Sequence, residues 1–289
     1  MSKDKNILNF HIYRYHLLPI SQDTVQTSLF PKQTFTQKEI IERKNEFFKI
    51  SLVNISENKK IRTPMIIHWQ DEDYFVLKVA NKKVTTIYKD FKPSDHPTEP
   101  FVYVLINNDP KVQKIGISEN IQAFSNPMVV KNVLSKVFNK ELEDLGLSIT
   151  IKNLFDKQDF WKIIENNSNK ITYIDFQFVR PNLAKISKSL NEVFRNFSKD
   201  LNSHESHLSV KSPTNGVLEN LDKDNDTLKG LTEYSSNGGG NVKIKVKGIR
   251  KLINTNEKPV TVEVDEVNIE GVADQILPVI KSIIGDGNN

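Results

Sequence analysis

Residues 171–201 read ITYIDFQFVRPNLAKISKSLNEVFRNFSKDL, and the fold is decided in this run. Its first nine residues alternate. Ile174, Phe176 and Phe178 fall on one face, with Thr172 ahead of them, and Tyr173, Asp175 and Gln177 fall on the other. A period of two is the signature of a strand with one deeply buried face. Arg180-Pro181-Asn182 ends it, because proline donates no ladder hydrogen bond and holds the preceding residue extended. The spacing then predicts a helix over 183–201, capped by Asn182. Its stripe is Leu183, Ile186, Leu190, Val193, Phe197 and Leu201, widened by Phe194. A strand and an amphipathic helix that share one apolar layer predict an α+β fold, with a mostly antiparallel mixed sheet flanked by helices.

Upstream, ILNFHIYRYHLLPI (7–20) reads as an opening strand of aromatic and β-branched residues. Thr36 and Glu39 form a capping box, which predicts a helix from residue 37 that carries Ile40, Ile41, Phe47 and Phe48. From Pro64 a meander follows, MIIHW, YFVLKVA and VTTIY, separated by turns at 71–73 and 81–83. FKPSDHPTEP (91–100) reads as an exposed, proline-rich loop. FVYVLI (101–106) carries no polar residue and is expected to be a central strand buried on both faces. VQKIGI pairs with it across Asn107-Asn108-Asp109-Pro110. Pro127 opens a helix that Gly146 closes, LSITIKNL is a further strand, and Asp156 caps a short helix carrying Phe160 and Trp161.

Downstream the chain turns polar, with SHESH and NLDKDNDT on either side of a short strand, HLSVKS. Asn237-Gly238-Gly239-Gly240 reads as a flexible elbow before two alternating strands, NVKIKVKG and VTVEVDEV, and a last helix over 271–284. A main α+β domain over 1–200 is expected, followed by a segment over 201–289 whose strands can complete the same domain.

Composition narrows the function. The 289 residues carry a net charge of +4, far below that of a protein that coats nucleic acid along its whole surface. The absence of cysteine excludes disulfides, thiolate metal sites and cysteine nucleophiles. The first ten residues contain no apolar run of signal-peptide length, and no window reaches the length of a membrane span. A cytoplasmic protein that contacts no membrane is the expectation.

Four patterns bear on chemistry. Asp222, Asp224, Asp226 and Glu233 occupy positions one, three, five and twelve of a twelve-residue calcium loop. Thr227 stands where the turn needs glycine, Lys229 stands where loops pair through an apolar residue, and Pro213 and Gly216 interrupt any entering helix. An acidic turn that caps a helix from near Thr227 accounts for the same residues, so no metal or other cofactor is expected. His204 and His207 are one residue too close for a HExxH site, and His11 and His16 lie on opposite faces of their strand. Asp73, Asp175, Glu263 and Asp265 are scattered carboxylates that a metal-dependent nuclease would have to gather. Of these, Asp175 sits among buried aromatics and is expected to accept a structural hydrogen bond. No glycine-rich phosphate loop precedes a helix, and no serine lies in a nucleophile elbow.

The fourth pattern is basic. Lys243, Lys245 and Lys247 share one strand face, Arg250 and Lys251 follow, and Tyr234 is close in sequence. A basic stripe on a sheet with an aromatic beside it can track a phosphate backbone. The competing reading pairs this strand with VTVEVDEV, so that the lysines face Glu263 and Asp265 across a hairpin.

Two resemblances attach to these motifs. FVY (101–103) followed by KIG (114–116) resembles the two-strand spacing of GIY-YIG nucleases, but no arginine occurs between Arg62 and Arg180, and Lys114 replaces the second tyrosine. The order from FVYVLINN through KIGISEN and IDFQFVRPN to SSNGGG resembles a loose group of bacterial proteins met beside phage-defence, abortive-infection type genes. That resemblance implies a biological context and no catalytic residue. The leading expectation is nucleic-acid binding through Lys243, Lys245, Lys247, Arg250 and Lys251. The alternatives are a non-enzymatic interaction subunit or homo-oligomer that uses exposed segments such as 91–100, and a metal-dependent nuclease.

Overall fold

The computed structural model describes residues 7–21, 25–26, 34–58, 62–180, 182, 188–271 and 273–285. The first strands in chain order are β1 (Ile7–Pro19), the short β2 (Val25–Gln26) and β3 (Thr34–Phe35), then β4 (Met65–Asp71) and β5 (Tyr74–Ala80). They are followed by β6 (Lys83–Lys89), β7 (Lys92–Thr98), β8 (Phe101–Asn107), β9 (Lys114–Ser118) and β10 (Leu147–Asn153). The last are β11 (Ile171–Val179), β12 (Glu205–Lys211), β13 (Gly240–Val246), β14 (Ile253–Asn254) and β15 (Thr261–Asp265). The helices are α1 (Gln37–Glu57), α2 (Pro127–Glu143), α3 (Lys157–Asn166), α4 (Glu192–Asp200), α5 (Asp226–Tyr234), α6 (Val267–Glu270) and α7 (Ala273–Ile284).

Two sheets carry the fold, and every ladder among the described residues is antiparallel. The first has seven strands in the order β10-β1-β9-β8-β5-β4, with β15 sharing the β10 edge of the long β1. The second runs β12-β11-β13-β14. This is the expected α+β class, with the antiparallel pairing divided between two sheets. Strands on either side of residue 200 pair with one another: β12 and β13 flank β11, and β15 joins β1.

The first sheet is covered on both faces. Val102, Val104 and Ile106 of β8 pack with Phe47 and Phe48 of α1 and Phe138 of α2. The alternate residues Tyr103 and Leu105 pack with Ile276, Ile280 and Ile284 of α7. FVYVLI is therefore buried from both sides, as its lack of polar residues requires. The capping box is formed, with Thr36 Oγ1 accepting from the Glu39 amide and the Glu39 carboxylate accepting from the Thr36 amide at 2.8 Å. Among the described residues the second sheet is covered by helices on one face only. There Ile174, Phe176, Phe178, Val242 and Ile244 meet Phe160 and Trp161 of α3 and Leu228 and Leu231 of α5.

The structure corrects four expectations. Leu183 and Ile186 of the predicted 183–201 helix lie outside the described residues. The described helix there starts anew after Asn191, whose side chain accepts from the Val193 amide at 2.9 Å. That restart fixes which face turns inward. Phe194 packs edge-on against Phe178, while Val193, Phe197 and Leu201 are exposed. The Asn182 side chain joins His16 Nδ1 at 2.7 Å and donates to the Leu17 carbonyl at 3.0 Å, and the residues it is expected to cap lie outside the described ones.

Residues 91–100 are not a loop. Lys92–Thr98 is a strand that forms a hairpin with β6, turning at Asp90 and Phe91 with φ of 51° and 60°. Pro93 and Pro97 are tolerated because, among the described residues, no further strand lies beyond β7 to require their missing donors. Residues 237–240 are not a flexible elbow either. Ser235–Gly239 is a buried wide helical turn wedged between the two sheets. A Cβ on Gly238, where φ is +80°, would lie 2.4 Å from the Arg14 Cβ, and one on Gly240 would lie 1.9 Å from the Gln177 carbonyl oxygen. The glycines are there for close approach. Finally, VTVEVDEV does not pair with β13: β15 lies on β1, and β13 lies between β11 and β14.

Candidate nucleic-acid interface

Alternation on β11 places Tyr173, Asp175 and Gln177 on the face of the second sheet away from α3 and α5, and strand register sets their neighbours. Lys211 of β12 and Lys245 of β13 lie on either side of Tyr173. Ser209 and Lys243 flank Asp175, and His207 and Asn241 flank Gln177. The face is therefore graded. One end carries an aromatic ring between two lysines, and the middle carries a buried carboxylate. The other end carries Glu205, which takes Lys152 at 2.5 Å and also the Gln177 amide. Burial alone would raise the Glu205 pKa, but these two hydrogen bonds outweigh it and hold the carboxyl below its ordinary value.

The predicted basic residues have unequal freedom. Lys243 stands opposite Asp175, a buried residue whose carboxylate accepts from Ser209 Oγ at 2.6 Å. Asp175 is thus the hydrogen-bonded structural carboxylate its setting implied. Lys245 Nζ donates to the carbonyls of Ile249 and Arg250, each at 2.6 Å, and so holds the turn after β13. Lys247 and Arg250 are exposed beyond the strand, and Lys251 pairs with Glu257 at 2.6 Å. Tyr234 takes no part, since it is buried and donates to the Val179 carbonyl at 2.9 Å. The sequence reading missed Tyr173 and Lys211. Both lie in stretches correctly read as strands, but their adjacency to Lys245 depends on the pairing of β12, β11 and β13.

The other candidates are put to structural use. Asp222 Oδ1 accepts from the amides of Asp224 and Asn225, and Asn225 caps α5, so the apparent calcium loop is a turn entering a helix. Among the described residues no three His, Asp or Glu side chains are grouped to hold a metal. Tyr103, in the segment resembling a GIY-YIG strand, donates to Glu270, which Lys78 also contacts at 2.6 Å. Lys114 donates to the Gly285 carbonyl at 2.8 Å. His11 meets Glu119 at 2.6 Å, far along β1 from the contacts of His16. The β6–β7 hairpin is exposed along nearly its whole length, with Val84, Ile87, Tyr88 and Phe91 in solvent. No helix among the described residues is long and apolar enough to cross a membrane.

No protein family, no curated protein and no solved structure matches the chain.

Proposed function

We propose that the chain is a cytoplasmic protein that binds single-stranded nucleic acid across the open face of its second sheet. The observation that carries the reading is the row Lys211, Tyr173, Lys245 on an uncovered strand surface, with Lys247 and Arg250 extending it. A ring on a strand flanked by two lysines offers a base a stacking platform and gives the adjoining phosphates counter-charges. Lys243 contributes less, because Asp175 is its neighbour. The bacterial phage-defence context implied by the resemblance belongs to this proposal as its setting. No catalytic step is part of it.

The test is fluorescence anisotropy of labelled RNA and DNA oligonucleotides over a salt series. Tyr173→Ala is expected to weaken binding by about 1–3 kcal/mol with an unchanged salt slope, because it removes a stacked base. Lys211→Glu is expected to weaken it and to flatten the slope. If the intact protein retains neither polymer at low salt, the reading is wrong. A second reading, a non-enzymatic interaction subunit, draws on the β6–β7 hairpin, where Tyr88 and Phe91 are exposed on a two-stranded projection. Replacing 84–97 by a two-glycine turn is then expected to abolish co-purification of a partner protein while the melting temperature stays unchanged.

A further inference from the structure

A cleft of about 460 Å³ opens where the end of β1 meets α1 and the last turn of α4. Its inner wall carries two cations that the open sheet face does not use. Lys44 lies in the buried stripe of α1, four residues after Ile40 and three before Phe47, where helical spacing calls for an apolar residue. Arg180 follows the last residue of β11. Both line the cleft, and both are more than nine-tenths buried, at 8% and 7% exposure.

Their partners do not neutralise them. Among the described residues Lys44 Nζ has a single long contact, 3.4 Å to the Asn182 carbonyl. Arg180 Nη1 donates to Asn202 Oδ1 at 2.6 Å, a neutral acceptor. Among the described residues neither has a carboxylate in ion-pair range, and the Arg180 charge acts on Lys44. Burial first, and then the Arg180 charge, lowers the Lys44 pKa to about 8. Two buried like charges without a counter-ion destabilise the empty protein, a cost that a bound anion would offset. The acid on the cleft wall, Asp200, is exposed and lies beside the equally exposed Lys199, so the rim is neutral and the interior is doubly positive.

We infer that this cleft binds the phosphate group of a small phosphorylated molecule. The Arg180 fork and the Lys44 ammonium clasp the anion, and Leu18, Pro19 and Ile41 lie along its uncharged part. A planar guanidinium beside a point charge is the pairing that phosphate oxygens complement. The site is distinct from the nucleic-acid face. Arg180 is seven strand positions from Tyr173, a distance of about 23 Å, and Glu205 lies between them on the sheet.

The experiment is isothermal titration of the full chain at neutral pH and fixed ionic strength, with inorganic phosphate, pyrophosphate and acetate as probes. Phosphate and pyrophosphate are expected to bind and acetate to bind far more weakly. Lys44→Met is expected to weaken phosphate and pyrophosphate binding about tenfold or more, whereas Lys44→Arg, which keeps the charge, retains most of it. Lys211→Glu, on the open face, is expected to leave phosphate binding intact, so failure of the nucleic-acid reading and failure of this one are separable. Thermal melts supply a second readout. Without phosphate, Lys44→Met is expected to melt at or above the intact protein, and phosphate is expected to raise only the latter. No binding of either phosphate probe at millimolar concentration would overturn the inference. So would equal binding by Lys44→Met, or equal affinity for acetate.

Discussion

The two sheets obey the same antiparallel pairing and are covered differently. In the first, β8 packs on α1 and α2 from one side and on α7 from the other, and its first six residues, FVYVLI, carry no polar group on their side chains but the Tyr103 hydroxyl. In the second, β11 packs on α3 and α5 from one side alone, and ITYIDFQFV alternates. The polarity pattern of a strand thus reports how many of its faces are covered. What it leaves uncovered is where an extended ligand can lie. Coverage also sets how each sheet tolerates change, because a sheet held from one side depends more heavily on its own backbone contacts and on the joint that anchors it.

The largest expected effect breaks the comparison at that joint. Gly240 starts β13 with its α-carbon against β11, and an alanine Cβ there would stand 1.9 Å from the Gln177 carbonyl oxygen and 2.9 Å from the Phe178 α-carbon. Both obstacles are backbone, so the pairing of β13 with β11 must open. Gly240→Ala is expected to cost more than about 3 kcal/mol. The same substitution at Gly116 in the first sheet meets the Ile284 Cγ2 at 3.3 Å, the end of a side chain that can yield. Its expected cost is about 1 kcal/mol. Urea midpoints for the two variants decide the matter, and a reversed order would mean that the joint is not what holds the second sheet.

Next in size is the buried cation. Lys44 titrates near pH 8 in the folded protein, against its ordinary value of 10.5, because burial and Arg180 disfavour its charged form. The folded state therefore binds the proton less well than the unfolded chain, and stability from this group is complete above pH 10.5 and is lost as the pH falls through 8. A shift of this size corresponds to about 3 kcal/mol. Other groups titrate in the same range, so the quantity to measure is the difference between the intact protein and Lys44→Met. The variant is expected to hold its advantage at pH 7 and to lose it steadily between pH 8 and 10.5. A flat difference across that window would place the ammonium in water and the lysine outside the cleft interior.

The same contrast explains what was legible beforehand. Period-two and helical spacing identified most of the strands and helices, because burial of one or two faces leaves its trace in consecutive residues: β8, β11, α1, α2 and α3 all follow it. Strand β6 was legible as VTTIY, but β7 escaped because its prolines read as loop, and a strand exposed on both faces imprints no hydrophobic alternation. The break before α4 escaped because Leu190, Val193 and Phe197 keep helical spacing across Asn191, whose capping bond is a local choice that the apolar pattern does not encode. On the candidate face, the direction of Lys243 and Lys245 was legible from alternation, but their neighbours were not. Register between strands more than thirty residues apart in sequence gives Lys243 an aspartate and Lys245 a tyrosine. Lys44 was hidden for the converse reason: one lysine in an otherwise apolar stripe reads as a solvated edge until the chain from β11 closes over it.

The smallest effect separates two lysines that look alike on the open face. Lys245 donates to two carbonyls of the following turn, whereas Lys211, exposed on the edge strand β12, has no ion pair or side-chain hydrogen bond among the described residues. Lys245→Gln is expected to lower stability by about 0.5–1 kcal/mol through the lost carbonyl contacts, and Lys211→Gln by nothing measurable. On nucleic acid both are expected to weaken binding, since each supplies one phosphate counter-charge beside Tyr173. Loss of binding in Lys245→Gln can therefore arise from a disturbed turn or from a missing charge, and Lys211→Gln is the cleaner probe. If Lys211→Gln leaves both stability and affinity untouched while Lys245→Gln lowers both, the basic stripe serves the turn after β13 and the open face of the second sheet needs a different ligand.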